Sequence, residues 1–236
     1  MHSVYGWRGT IGIMTPGTSQ QVEFHRKVPD GIAICTTLLP LKSANKEGLI
    51  EMSNYIETSA DLLAQQRVDI IMFVCTTGSL IKGIGYDQDI IKQIEKRTNI
   101  PAITTTTSVL EAFKALDIKK IFVVTPYIDE LNIAEKDFLE KSGITVLSIK
   151  GLGIGDQSIQ DVNPSVIYRL VKEQFDPKAD AVFISCTGLC VFDIIEPLEI
   201  DLQIPVITSV QASLWHGLRK INVLQKINDL GRLFRI

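Results

Sequence analysis

What the chain lacks narrows its possibilities first. No apolar run approaches the ~18 uncharged residues that a helical membrane span needs, so no membrane partner is expected. The net charge is −3 and the basic residues form no cluster able to follow a phosphate backbone, which argues against nucleic acid. Residues Met1 to Arg8 offer no charged-then-apolar secretion signal, so the expected location is the cytoplasm. The three histidines do not cluster with the four cysteines at 35, 75, 186 and 190, and no two cysteines are spaced Cys-x-x-Cys. A metal site is therefore not expected, nor are structural disulfides without a secretion signal.

What is present is an ordinary globular composition. Apolar residues at 45% against 22% charged can fill a core, which excludes disorder as the main state. Short runs rich in Ile and Val alternate with helix-length amphipathic stretches, the pattern of βα units on a parallel sheet buried on both faces. The runs are Ile11–Thr15, Ile32–Leu39, Asp69–Cys75, Ala102–Thr106, Lys120–Thr125, Thr145–Ile149, Ala181–Cys186 and Val206–Ser209. Between them, Lys46–Gln66 carries an apolar stripe through Leu49, Met52, Ile56, Leu62 and Leu63 and reads as one helix. Asn163-Pro164 reads as a cap and first-turn proline opening a helix to Phe175.

The chain also repeats itself. Thr15-Pro16 corresponds to Thr125-Pro126, and Asp69–Gly78 (DIIMFVCTTG) to Asp180–Gly188 (DAVFISCTG). Asn99–Thr104 corresponds to Gln203–Thr208, in the same order. This is a duplicated supersecondary unit, not a short-period solenoid. The expected fold is α/β, with two pseudo-symmetric halves. Each is a parallel sheet of about four strands flanked by helices, with a cleft between them. The halves are placed at 1–115 and 116–209, with 210–236 packing back on the first.

Cys75 and Cys186 each end the third strand of their half, where open α/β sheets bind ligands. A pseudo-twofold would set them on opposite walls of one cleft. A helix opening after each cysteine would lower its thiol pKa and hold at least one as thiolate near pH 7. Opposed thiols suit inversion at a flat carbon: one removes a proton, the other returns one, and oriented donors steady the intermediate without a cofactor. Thr76, Thr77, Thr187 and Gly188 supply donors, and Tyr127 follows a strand end from which its phenol can reach a carboxylate. Thr15 and Pro16, at the end of the first strand, join this substrate-binding set. Cys35 and Cys190 lack a matched partner and read as packing, Cys190 one turn into the helix after Cys186. His25 and His216 have no recognisable base partner. Gly151–Gly155 follows a strand but lacks GxGxxG spacing, so no nucleotide is expected. Thr104–Thr107 reads as a polar strand terminus, with Thr104 at the cleft edge.

At these residues the sequence resembles the aspartate/glutamate racemase superfamily, within it the arylmalonate decarboxylase and maleate cis-trans isomerase branch. The segments concerned are Val124–Asn132, Ile184–Leu189 and Gly231–Phe234. The resemblance implies a substrate carboxylate held by Thr76, Thr77, Tyr127, Thr187 and Gly188. It also implies a contrast. The decarboxylases carry glycine at the place of Cys75 and use the second cysteine alone, whereas racemases and maleate isomerase carry two. The asparagine that maleate isomerase has after its first strand is missing from Thr15–Thr18. The expected activity is isomerisation or racemisation of a small mono- or dicarboxylate. Two alternatives stay open, a decarboxylase with Cys186 as sole proton donor and a non-catalytic dicarboxylate sensor. A homo-oligomer is compatible with all three.

Overall fold

A computed structural model describes residues 4–236, so Met1–Ser3 of the inspected N-terminus lie outside it. The first sheet is built from β1 (Gly9–Thr15), β2 (Ile32–Leu38), β3 (Ile70–Phe73) and β4 (Ala102–Thr104). Around it lie α1 (Ser19–Lys27), α2 (Lys46–Ser53), α3 (Ile56–Gln65), α4 (Thr76–Leu80), α5 (Tyr86–Thr98) and α6 (Thr105–Ala115). The second sheet has β5 (Lys120–Tyr127), β6 (Thr145–Ile154), β7 (Ala181–Ile184) and β8 (Val206–Thr208). Its helices are α7 (Asp129–Lys141), α8 (Pro164–Gln174), α9 (Phe192–Leu202) and α10 (Ser209–Lys220).

The strand orders are β2-β1-β3-β4 and β6-β5-β7-β8, with every pair parallel. The same order in both sheets is the architecture of a duplicated unit, as the repeat implied. β3 and β7 are buried along their whole length, which is why they read as unbroken apolar runs rather than alternating ones. In each sheet the order reverses beside the first strand, so a crevice opens at the carboxyl ends of β1 and β3 and again at those of β5 and β7. Pro16 and Cys75 leave the first crevice, Tyr127 and Cys186 the second.

The sheets are held together by helices and a few cross-bonds. α10 packs on α6, and α4 on α7. Ser213 and Thr105 share a hydroxyl–hydroxyl bond at 3.2 Å, and His216 Nδ1 meets Ser108 Oγ at 3.1 Å. Phe113 on α6 meets Phe183 on β7 edge-to-face, with ring centroids 5.5 Å apart.

Three local expectations are corrected. The helix over Lys46–Gln66 is broken at Asn54–Tyr55. There Ser53 Oγ donates to the Ile50 carbonyl, and Asn54 and Tyr55 make tight bonds three residues back instead of four. The threonine run ends a strand only at Thr104, the last residue of β4, which also caps α6, its Oγ1 accepting from Thr107 N at 3.2 Å; Thr105–Thr107 already belong to that helix. Gly151–Gly155 does not follow β6 but continues it as far as Ile154. The Asn163 cap stands as read, with Oδ1 accepting from Ser165 N at 2.9 Å. No helix among the described residues is long and apolar enough to cross a membrane. No described group of three or more His, Cys, Asp or Glu could hold a metal ion.

Candidate active site

One cleft joins the two crevices. It contains about 540 Å³ of space, its open mouth included, within the range of small-molecule sites. Cys75, Thr76 and Thr77 line one wall, and Tyr127, Cys186, Thr187 and Gly188 the other, with Pro16 beside them. Thr15 is the exception among the expected residues. As the last residue of a strand buried on both faces it is fully enclosed, its Oγ1 has no partner, and Pro16 is the first residue to reach the cleft. Thr104 does not line the cleft either.

The two cysteines are presented differently. Cys75 is extended (φ −153°, ψ 112°) and stands at the N-cap of α4, where its carbonyl accepts from Ser79 N and Ser79 Oγ. A Cβ on Gly78 would come within 2.9 Å of the Cys75 sulfur, so a glycine there gives the thiol its room. Cys186 has φ +109°, a region that side chains rarely adopt, and no helix follows it until Phe192. It is held by bonds instead: its N–H donates to Ser209 Oγ at 3.1 Å, and Gly188 N–H donates to its sulfur at 3.2 Å. Cys190 therefore lies in the loop before α9, not one turn into a helix as expected.

Cross-links position the donors. Thr187 Oγ1 donates to the Val74 carbonyl at 3.3 Å and accepts from Gln20 Nε2 at 3.1 Å, tying the Cys186 turn to the opposite sheet. The Tyr127 turn is clamped by Asn132, which accepts from Thr125 Oγ1 at 2.6 Å and donates to the Tyr127 carbonyl at 3.2 Å. A Cβ on Gly151 would sit 2.3 Å from Asn132 Nδ2, so only glycine admits this clamp. Across the mouth, Ala44 N–H donates to the Gly155 carbonyl at 3.2 Å, one backbone bond joining the two lips.

Burial governs the titration. It pushes the Cys75 thiol up to about 12, against the Gly78 amide and the Thr77 hydroxyl, which favour the thiolate. It pushes Cys186 up to about 11, against the Tyr127 hydroxyl and the Gly188 and Leu189 amides. Tyr127 is raised well above the ordinary tyrosine value, first by burial and then by Cys186. The expectation of a thiolate near pH 7 is thus overturned: a short turn's amides do not outweigh removal from water. Cys35 and Cys190 are also raised by burial. Iodoacetamide at pH 7.5 is accordingly expected to modify Cys75 and Cys186 no faster than Cys35 and Cys190. Rates at the cleft pair should climb as pH rises towards 10, because alkylation follows the thiolate. Peptide mass spectrometry after timed labelling reads this out, and a tenfold preference for either cleft cysteine at pH 7.5 would contradict it.

Sequence reasoning missed Gly17, Ser19 and Gln20 at the start of α1, and Leu41, Ala44, Asp156, Ile159 and Gln160 on the lips. The first three follow β1 directly, so the strand-end rule that found Cys75 could have found them.

Two like-ordered parallel sheets, each bringing one cysteine to a shared cleft, define a pseudo-symmetric α/β protein with a paired-thiol site. The chain belongs to the arylmalonate decarboxylase family, whose model matches residues 11–234. That places it in the branch of the aspartate/glutamate racemase superfamily which its motifs implied, among enzymes that include decarboxylases and isomerases. It is 27% identical to an arylmalonate decarboxylase of Bordetella bronchiseptica, over 95% of this chain and 96% of that one. A liganded arylmalonate decarboxylase double mutant, glycine to cysteine and cysteine to serine, superposes with a TM-score of 0.91 at 26% identity, covering 96% and 98% of the chains. The maleate cis-trans isomerase of Nocardia farcinica, in a cysteine-to-serine mutant with a covalently bound succinylcysteine intermediate, matches at TM-score 0.91 and 18% identity over 96% and 98%.

Proposed function

We propose that this chain is a cofactor-independent isomerase or racemase of a small carboxylic acid, with Cys75 and Cys186 acting from opposite faces of the substrate. The observation that carries the reading is the presence of two thiols on facing walls of one cleft, each beside its own hydrogen-bond donors. Thr76, Thr77, Tyr127, Thr187 and the Gly188 amide hold the substrate carboxylate. One sulfur takes a proton from the carbon beside that carboxylate, or adds to a double bond, and the other delivers a proton to the opposite face. Negative charge that builds on the carboxylate oxygens is met by fixed donors, which need no reorganisation as the charge appears. A small mono- or dicarboxylate fits the cleft, and an acidic chain without a basic cluster fits a cytoplasmic enzyme without nucleic-acid partners. The packing of α10 on α6 supports reading 210–236 with residues 1–115 as one half and 116–209 as the other.

One observation favours a second reading. Burial keeps both thiols protonated, and decarboxylation asks only for an acid, which Cys186 alone could supply. A panel of malonates, enedioates and amino acids incubated in deuterated water separates the two. Isomerisation or exchange at carbon without CO₂ release supports our reading; CO₂ release from a malonate supports the other. Inertness towards all three classes would sink both.

A further inference from the structure

Glu135 on α7 is a buried carboxyl that the mechanism above does not use. It is 1% exposed and lies against a residue next to each cysteine. Its Oε1 accepts from Ser185 Oγ at 2.5 Å, and Ser185 is the residue immediately before Cys186. Its Oε2 has no partner. Across a cavity of about one water in size it faces Thr76, the residue immediately after Cys75, whose Oγ1 is likewise buried without a partner. Ser185 also donates its N–H to the Val124 carbonyl at 2.8 Å, so both hydrogen-bond donors of Ser185 are engaged immediately before the φ +109° residue.

A side chain at positive φ persists only where its surroundings over-determine it. We infer that Glu135 is a positioning residue for Cys186: through Ser185 it braces the strained turn that aims the thiol, and its charge state biases the thiol's proton.

The second role follows from its neighbours. The titratable groups facing Glu135 are Cys186 beyond β7 and Tyr127 at the end of β5, and its charge raises both. α4 and α6 present Thr76, Leu80, Thr106 and Val109, none of which titrates. On β6 the one charged residue, Lys150, is exposed. Burial pushes the Glu135 carboxyl up to about 7, with the Ser185 bond opposing. Above that pH Glu135 carries a negative charge that further opposes the Cys186 thiolate; below it that opposition is gone, although burial still keeps the thiol protonated. Cys75, raised by burial and by Cys186, does not count Glu135 among its chief influences and serves as an internal control.

The inference rests on reading Cys186 as a proton-transfer group, but its test reads the thiol directly and needs no substrate. Iodoacetamide labelling is followed by peptide mass spectrometry from pH 6 to 10 in the wild type and in Glu135→Gln, whose amide oxygen still accepts from Ser185. Glu135→Gln should label Cys186 about three- to tenfold faster at pH 9, with Cys75 changed less than about twofold. A merely structural role would lower Tm without moving the Cys186 curve. Ser185→Ala, which removes the brace and keeps the carboxyl, should change the Cys186:Cys75 labelling ratio by more than about threefold. Coincident Cys186 curves for wild type and Glu135→Gln overturn the inference, as does an equal shift at Cys75. If Glu135→Gln does not fold, an unchanged ratio in Ser185→Ala overturns it alone.

Discussion

Cys75→Ser and Cys186→Ser should each lower turnover by ~10³-fold or more, and the double variant should be little worse than either single one. A hydroxyl is a far weaker acid than a thiol and a far poorer nucleophile at neutral pH, and a proton passed across one carbon needs both partners. Residues that act as one unit lose their effect together, so the losses are strongly non-additive. Cys75→Gly decides between the two readings. In an isomerase it is as damaging as Cys75→Ser. In a decarboxylase it retains activity, because the side from which carbon dioxide leaves needs space and no acid. Steady-state kinetics on the substrate found active in the panel, with CO₂ measured alongside, makes the comparison. An active Cys75→Gly that releases CO₂ would displace the isomerase reading.

Phe183→Ala should be the most damaging single change to folding. Phe183 is 1% exposed in the middle of β7 and packs edge-to-face on Phe113 from the other half. Removing a buried phenyl ring costs about 3–5 kcal/mol, and the aromatic pair adds about 1 kcal/mol to what is lost. For a chain of this size that corresponds to a fall in Tm of about ten degrees or more. Phe113→Leu, which keeps most of the volume, should lose less than half as much. Thermal and denaturant unfolding of both variants test this, and a fall below two degrees for Phe183→Ala would show that the halves are not joined through this ring.

The fold was legible because six of its eight strands, all but β2 and β6, are almost wholly buried. Strands of that kind announce themselves as short Ile/Val runs, and the repeat then fixes their order twice. Cys75 and Cys186 were legible for the same reason, each lying two residues past the end of one of two matched strands. The break at Asn54–Tyr55 was not, because the apolar stripe through Met52 and Ile56 keeps helical spacing across it. The cap at Thr104 could have been read from a threonine followed three residues on by another, but a row of four threonines hides which one turns the chain. The lips, with Leu41, Ala44, Asp156 and Ile159, are set by contacts between segments distant in sequence. The protonation of the thiols was misjudged because sequence shows nearby amides and hides depth of burial. Glu135 was passed over because on α7 it looks like any acidic residue of a helix, and it is enclosed by α4, α6 and β7, elements distant from it in sequence.

The backbone at the two cysteines has a consequence for how the chain can change over generations. At Cys75 the conformation is one that any residue adopts, so glycine there relieves no strain, loosens the unfolded chain and gives up the buried thiol's packing. At Cys186 the φ of +109° is one that glycine adopts without strain, which for another residue costs about 1–3 kcal/mol. Loss of the thiol's packing and relief of that strain act in opposite directions, so glycine at 186 is close to neutral for folding while, on the mechanism we propose, it ends the chemistry. A lineage released from the need for this reaction would therefore meet little resistance from stability in losing Cys186. Cys75 would go only at a cost to the fold. On the mechanism we propose, the second cysteine owes its place to the reaction and not to folding.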